Sequence, residues 1–361
     1  MSKNIAIFGG TFDPIHKGHI LVAELAIKEL NLDKLIFVPT YKSPFKKKGN
    51  KYNRTHNFNM IEKILIDKSE ISDFEIKRKG TSYTIDTIKF FKNKYKDSNL
   101  FLLIGTDHTN RLHKWKDIEE ISELCQIVTF NRKGKIFKEN FKKYNCIKIH
   151  NEIWDYSSSN YKKGYISIVD DRVQKYIVDN FLYLDEILWS FTNNAKLNKH
   201  CKSTGALAAQ YAKLLNIDAK KGYMAGLLHD LTKSWTITQH HSFLTYMGYN
   251  PLEYKDHQLH SLTASLWLEK EFKMDDKEFT DSIKKHTNLD NELTNLDKVV
   301  FMADKLCEGR KWEGIQKIRE EAFTNFEDTF KKVVAINYEI VKNKNNGIIE
   351  SEFDEVFKKW M

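Results

Sequence analysis

The sequence predicts a parallel α/β domain followed by an all-helical domain. Three observations carry this reading. Short β-type runs alternate with helix-length amphipathic stretches up to about Asn180, such runs then cease, and from Asn193 onward apolar residues recur at helical spacing. A length of 361 residues suits two domains, at roughly 150 residues each.

The first strand is IAIFGG from Ile5, closed by a glycine pair. KLIFVP from Lys34, LFLLIG from Leu100 and QIVTF from Gln126 follow, each rich in residues that suit a pleated, buried surface. Helix-length segments between them complete the βαβ rhythm of a parallel sheet. The run Lys46–Lys48, beside Gly49 and Asn50, reads as a loop. In the second half, apolar residues recur at helical spacing, as in LAAQYAKLL and SLTASLWLEKEF, MAGLLHD is a further helical run, and Pro251 is the one proline there. The boundary is set near Tyr183–Ile187, giving domains 1–184 and 185–361. The amphipathic helices after about Glu320 suit packing or a dimer face and carry no readable chemistry.

Hydrophobic residues at 41% and aromatics at 13% exclude wholesale disorder. No stretch approaches the ~18 apolar residues of a membrane helix, and the N-terminal apolar run passes straight into a glycine turn rather than a signal-peptide layout. A cytoplasmic chain with no membrane partner is therefore expected. Cys125, Cys146, Cys201 and Cys307 are far apart, without a CxxC pair, and read as reduced core thiols. Residues 1–184 carry 33 Lys+Arg against 22 Asp+Glu, a net +11, whereas the rest carries −2. A basic first half suits anionic ligands, nucleic acid or free nucleotides.

GGTFDPIHKGH, Gly9 to His19, directly follows the first strand. Gly9 and Gly10 let backbone N–H groups approach a phosphate, and the helix N-terminus beyond adds partial positive charge. His16 and His19, three apart at the helix entry, can face one spot. Two imidazoles plus backbone amides match what a phosphoryl transition state needs: positioning and charge stabilisation.

The string resembles the T/HxGH nucleotidyltransferases, and within them this half looks like bacterial nicotinate-mononucleotide adenylyltransferase. Later segments join the resemblance: VPTYKSPFKK, with Lys46 in the basic position; GTSYTIDT; LIGTDHTNRLHKW; and YSSSNYKKG. It implies adenylyl transfer from ATP, accompanied by Mg²⁺, to nicotinate mononucleotide. His16, His19, Thr11 and Lys46 would serve catalysis. Gly9, Gly10, Thr84, Gly105, Asp107, Trp115 and Arg132 would hold the nucleotides, Thr84 and Trp115 at the nicotinate end. Ser157, Ser158, Ser159 and Lys162 would cradle the β,γ-phosphates. Ser159 stands where the family has threonine and Lys162 where it has arginine, so the charge is kept and the bidentate fork lost. The histidine motif alone, shared with phosphopantetheine adenylyltransferases and cytidylyltransferases, fixes only the reaction type.

Seven of the 13 histidines fall between His200 and His286. The order His200, His229–Asp230, His260, His286, Asp304 spreads over separate helical segments, and imidazoles with carboxylates ligate Fe, Mn or Zn. His240, His241 and His257 stand outside the pattern and read as surface or loop. The order resembles the HD-domain metal phosphohydrolases, more narrowly those that split diadenosine tetraphosphate into two ADP. The resemblance implies two transition metals, Fe or Mn, on His200, His229, Asp230, His260, His286 and Asp304, with Lys233 and Arg310 on phosphates. The segment after His286, TNLDNELTNLDK, lacks the glycine- and proline-bearing stretch of those hydrolases.

The expected fold is thus an α/β Rossmann-like parallel-sheet domain followed by an all-α HD-type helical domain. The expected partners are ATP, nicotinate mononucleotide and diadenosine tetraphosphate. Homo-oligomerisation stays open. A helical half acting on another nucleotide, or serving as a non-catalytic docking or dimerisation module, is the alternative, though buried histidines and aspartates without a metal carry a desolvation cost. An RNA-binding reading of the basic half finds no aromatic–basic recognition string, so no nucleic-acid partner is expected.

Overall fold

The computed structural model describes residues 2–45, 53–132 and 137–361. Two compact units emerge, one of residues 1–161 and 165–179, the other of 162–164 and 180–361. The division falls at Asp179–Asn180, five positions before the end of the expected first domain.

In the first unit six strands form one parallel sheet: β1 (Asn4–Gly10), β2 (Lys34–Pro39), β3 (Ser69–Ile71), β4 (Asn99–Gly105), β5 (Gln126–Phe130) and β6 (Ile147–Ile149). The order across the sheet is β3-β2-β1-β4-β5-β6. The four strands read from the sequence form its centre, and β3 and β6, three residues each, are added at the edges. Helices cover the central strands on both faces, so the runs are continuously apolar: Ile5, Ala6, Ile7 and Phe8 of β1 are all buried. One face packs Ile7, Ile36, Leu102, Ile104 and Ile127 against Ile85, Ile88 and Phe91 of the helix Thr84–Lys94. On the other, Phe8 meets Phe12, Phe37 and Phe130 with ring centroids 5.6–5.8 Å apart. Strand order reverses between β1 and β4. Their carboxyl ends, Gly9–Gly10 and Gly105, therefore open the crevice in which such sheets bind ligands.

The second unit is helical. Asn194 accepts the Leu197 N–H to start the helix Ala195–Leu214, Asp276 caps Lys277–Lys285, and Thr294 with Asp297 forms a capping box on Asn295–Leu306. Ala195–Leu214 and Ala219–Leu228 approach closely because Gly222 and Gly226 face Ala208. A Cβ on Gly226 would lie 2.8 Å from Ala208 Cβ, and one on Gly222 2.9 Å from Ala208 O. The helices Phe326–Lys344 and Ser351–Trp360 belong to the core of this unit. Phe330, Val333, Val334 and Phe357 pack on Val299, Phe301 and Met302 of the Asp304 helix. Trp360 Nε1 donates to Asp290 O at 2.7 Å and Lys359 Nζ to Asn291 O at 2.6 Å, tying the C-terminus to the loop after His286. Among the described residues no helix is long and apolar enough to cross a membrane, and all four cysteines are buried free thiols.

Candidate active sites

In the first unit a cavity of about 420 Å³ opens at the β1/β4 switch point. It gathers Gly9, Gly10, Thr11, His16, His19, Thr84, Gly105, Trp115, Arg132, Ser157, Ser158 and Ser159 from five separate segments. A Cβ on Gly9 would meet no protein atom within 4 Å, so that space is open to a ligand. On Gly105 it would strike the Asp107 carboxylate and the Arg132 side chain. Asp107 stands beside the cavity with Oδ2 3.7 Å from Arg132 Nη1. The serine run is tied to the histidine loop, since Ser158 Oγ donates to Pro14 O at 2.9 Å, while Ser157 Oγ accepts the Asn160 N–H. Lys46 lies outside the described residues. Lys162, three positions after Ser159, has its ammonium 5.1 Å from the centroid of the Tyr183 ring.

The two histidines stack with ring centroids 3.7 Å apart. His16 is the N-cap of the helix Lys17–Glu29, and its backbone N–H donates to His19 Nδ1 at 3.2 Å. With Nδ1 accepting, a neutral His19 carries its proton on Nε2. Burial, then the charge of Arg132, lowers the His16 pKa to about 3. Burial, His16 and Arg132 hold His19 well below the ordinary histidine range. Both rings are neutral donors at physiological pH. An unfolded chain protonates these rings near pH ~6.5, whereas folded His16 resists until about 3. Unfolding therefore takes up protons in that window. The stability is complete above the unfolded pKa and is lost as pH falls through the window. Thermal unfolding of the intact chain is expected to show this decline on acidification, and less of it in His16→Gln.

Glu75, Trp154 and Tyr156 also line the cavity without having been legible. Glu75 is buried, accepts the Thr87 hydroxyl at 2.7 Å, and is raised above the usual carboxylate range by burial. In a run reading EIKRK it looks like solvated surface.

In the second unit all six expected ligands converge. His200 comes from Ala195–Leu214, His229 and Asp230 end Ala219–Leu228, His260 lies on Asp256–Leu266, His286 ends Lys277–Lys285, and Asp304 lies on Asn295–Leu306. His200 Nε2 is 3.1 Å from Asp304 Oδ1 and 3.2 Å from His229 Nε2. Asp230 stands between two donor sets, with Oδ2 3.4 Å from His229 Nε2 and Oδ1 3.3 Å and 3.6 Å from His260 and His286 Nε2. His200, His229 and Asp304, and His229, Asp230 and His286, form two groups able to hold a metal ion.

The donor chemistry fits divalent cations. Nδ1 of His229 and of His286 each lies 2.7 Å from a backbone carbonyl, which keeps a proton on Nδ1 and turns Nε2, the nitrogen a metal would take, toward the centre. Asp230 Oδ1 is buried with no hydrogen-bond partner among the described residues. Despite burial, the surrounding histidines hold Asp230 well below the carboxylate range, and Lys305, His200 and His229 do so for Asp304. Lys233 Nζ is 2.9 Å from His260 Nε2, and Arg310 Nη2 2.6 Å from Asp304 Oδ1, so both phosphate candidates border the centre. Thr287 Oγ1, 3.2 Å from His286 Nε2, joins them with no sequence signal of its own. His240 corrects the surface reading: it is buried, with Nδ1 2.8 Å from Thr263 Oγ1 and its ring beside Trp235.

The cytidylyltransferase-like family model matches residues 7–164 and the HD domain model residues 198–309. A Mycoplasma genitalium protein named a probable nicotinate-nucleotide adenylyltransferase/Ap4A hydrolase is 32% identical over 323 residues, covering 87% of this chain and 90% of its own. The chain belongs to the nicotinate-nucleotide adenylyltransferase/Ap4A hydrolase family. A second member, from Mycoplasma pneumoniae, is 30% identical and covers 83% of this chain and 87% of its own. An Aquifex aeolicus protein named a probable nicotinate-nucleotide adenylyltransferase is 42% identical over 143 residues, 38% of this chain and 84% of its own. In this family member the HD match spans all six residues of the candidate metal centre.

Proposed function

We propose that the first unit transfers the adenylyl group of ATP to nicotinate mononucleotide, and that the helical unit hydrolyses diadenosine tetraphosphate symmetrically to two ADP. The observation that carries the first activity is the stacked His16–His19 pair at the switch-point cavity. The mononucleotide phosphate attacks the α-phosphorus of ATP, and deamido-NAD and pyrophosphate leave. Backbone amides at Gly9–Gly10 receive the phosphates, accompanied by Mg²⁺. His19, protonated on Nε2, donates to the oxygen on which charge develops. Arg132 supplies the fixed positive charge, and Trp115 offers an aromatic face to the pyridine ring.

In the helical unit His200, His229, Asp230, His260, His286 and Asp304 would hold two divalent transition metals, Fe or Mn. When bound, these ions supply Lewis acidity toward phosphate oxygens and ionise a water at neutral pH. Lys233 and Arg310 bind the polyphosphate and orient the scissile bridge, and Thr287 adds a hydroxyl at the same rim.

The test is chromatographic product analysis of diadenosine tetraphosphate incubated with the intact chain and Fe²⁺ or Mn²⁺. Two ADP, abolished in His229→Ala, is the expected result. ATP plus AMP would indicate a different cleavage position, and no cleavage with metal bound would overturn the substrate.

A further inference from the structure

The rings of the metal centre are not all held alike. His229 Nδ1 and His286 Nδ1 each meet a carbonyl three residues back, Gly226 O and Ile283 O. Nδ1 of His200 meets sulfur instead: Cys307 Sγ, at 3.4 Å.

That thiol is fully buried and sits where the Asp304 helix ends. The turn that carries it is fixed from outside. Arg319 Nε donates to Leu306 O at 2.7 Å, and Arg319 Nη2 donates to Cys307 O at 2.8 Å and to Arg310 O at 3.2 Å. On the other side, His200 is held through its backbone, whose carbonyl accepts the Thr204 hydroxyl at 3.0 Å. Sulfur and imidazole thus face each other from two rigid supports. The opposite nitrogen, Nε2, points at Asp304 Oδ1 and His229 Nε2.

We propose that Cys307 is the positioning residue of His200: its sulfur accepts the Nδ1–H, keeping the proton on that nitrogen and the Nε2 lone pair free for the metal. The inference rests on the metal-centre reading of the helical unit. A thiol is a weaker, longer acceptor than a carbonyl, so His200 is held more softly than His229 and His286. Partners of this kind fix tautomer and ring orientation, and losing one weakens metal affinity by about 10–100-fold. A buried cysteine serving only as a small apolar filler would have no such effect.

Mn²⁺ titration calorimetry on the full chain separates the two roles, comparing wild type, Cys307→Ser and Cys307→Ala. Alanine removes the acceptor, and Mn²⁺ affinity is expected to fall by about 10–100-fold, whereas serine supplies a hydroxyl and recovers most of it. Helix content and the thermal unfolding transition of the helical unit, measured by circular dichroism on the same preparations, are expected to stay at their wild-type values in both and report that this unit is folded, while adenylyl transfer in the other unit is unaffected. Equal Mn²⁺ affinity in wild type and Cys307→Ala would overturn the proposal, as would equal losses in serine and alanine, which mark a packing role. Wild-type protein that binds no Mn²⁺ or Fe²⁺ would overturn the metal-centre reading, and this inference with it.

Discussion

Asp230→Ala is expected to abolish hydrolysis and strip the divalent cations while leaving adenylyl transfer at its wild-type rate. Asp230 turns its two oxygens to different sets of imidazoles, Oδ2 to His229 and Oδ1 to His260 and His286. Its loss removes an anion from both at once and leaves several imidazole nitrogens facing one another without negative charge. Metal content by atomic emission and the two activities, measured on one preparation, check this. A joint loss of both activities would argue against independently folded units.

The second large effect falls in the sheet unit. With one preorganised donor removed, His19→Ala is expected to slow adenylyl transfer by about 10²–10³-fold, with no loss of hydrolysis. The ring rests on Phe8 and Phe12, at 6.0 Å and 4.9 Å between centroids, and its Nδ1 is committed to the His16 N–H. Truncation therefore removes the donor and the element that orients its neighbour. Single-turnover rates report the chemistry directly, and a near-wild-type rate would sink the charge-stabilising role.

How far these sites can be read from sequence depends on how local their signals are. The glycine–histidine turn is one contiguous string, and its residues arrive in the cavity together. The six metal candidates lie scattered over more than a hundred positions, but they are chemically distinctive and their order is readable. Edge strands β3 and β6 are three residues long, too short for alternation to register. His240 was readable in principle: it lies four positions before buried Leu244 on the helix Ile237–Tyr246, and that spacing places both on one face. Glu75 and Cys307 were not, because the partner of each, Thr87 and His200, lies well away in the chain, and Thr287 was not because a lone threonine beside a histidine carries no pattern.

The bonds from Trp360 and Lys359 to Asp290 and Asn291 bear on the order in which the two activities appear during synthesis. The sheet unit is complete in sequence at Asp179 and can fold while the ribosome is still working. The loop beside His286 acquires these anchors only once Lys359 and Trp360 have been made, on the order of ten to forty seconds later at ordinary elongation rates. If the proposed activities hold, a nascent chain gains the first of them before the second. A premature stop that removes only the final helix should give a protein competent in the first reaction and impaired in the second.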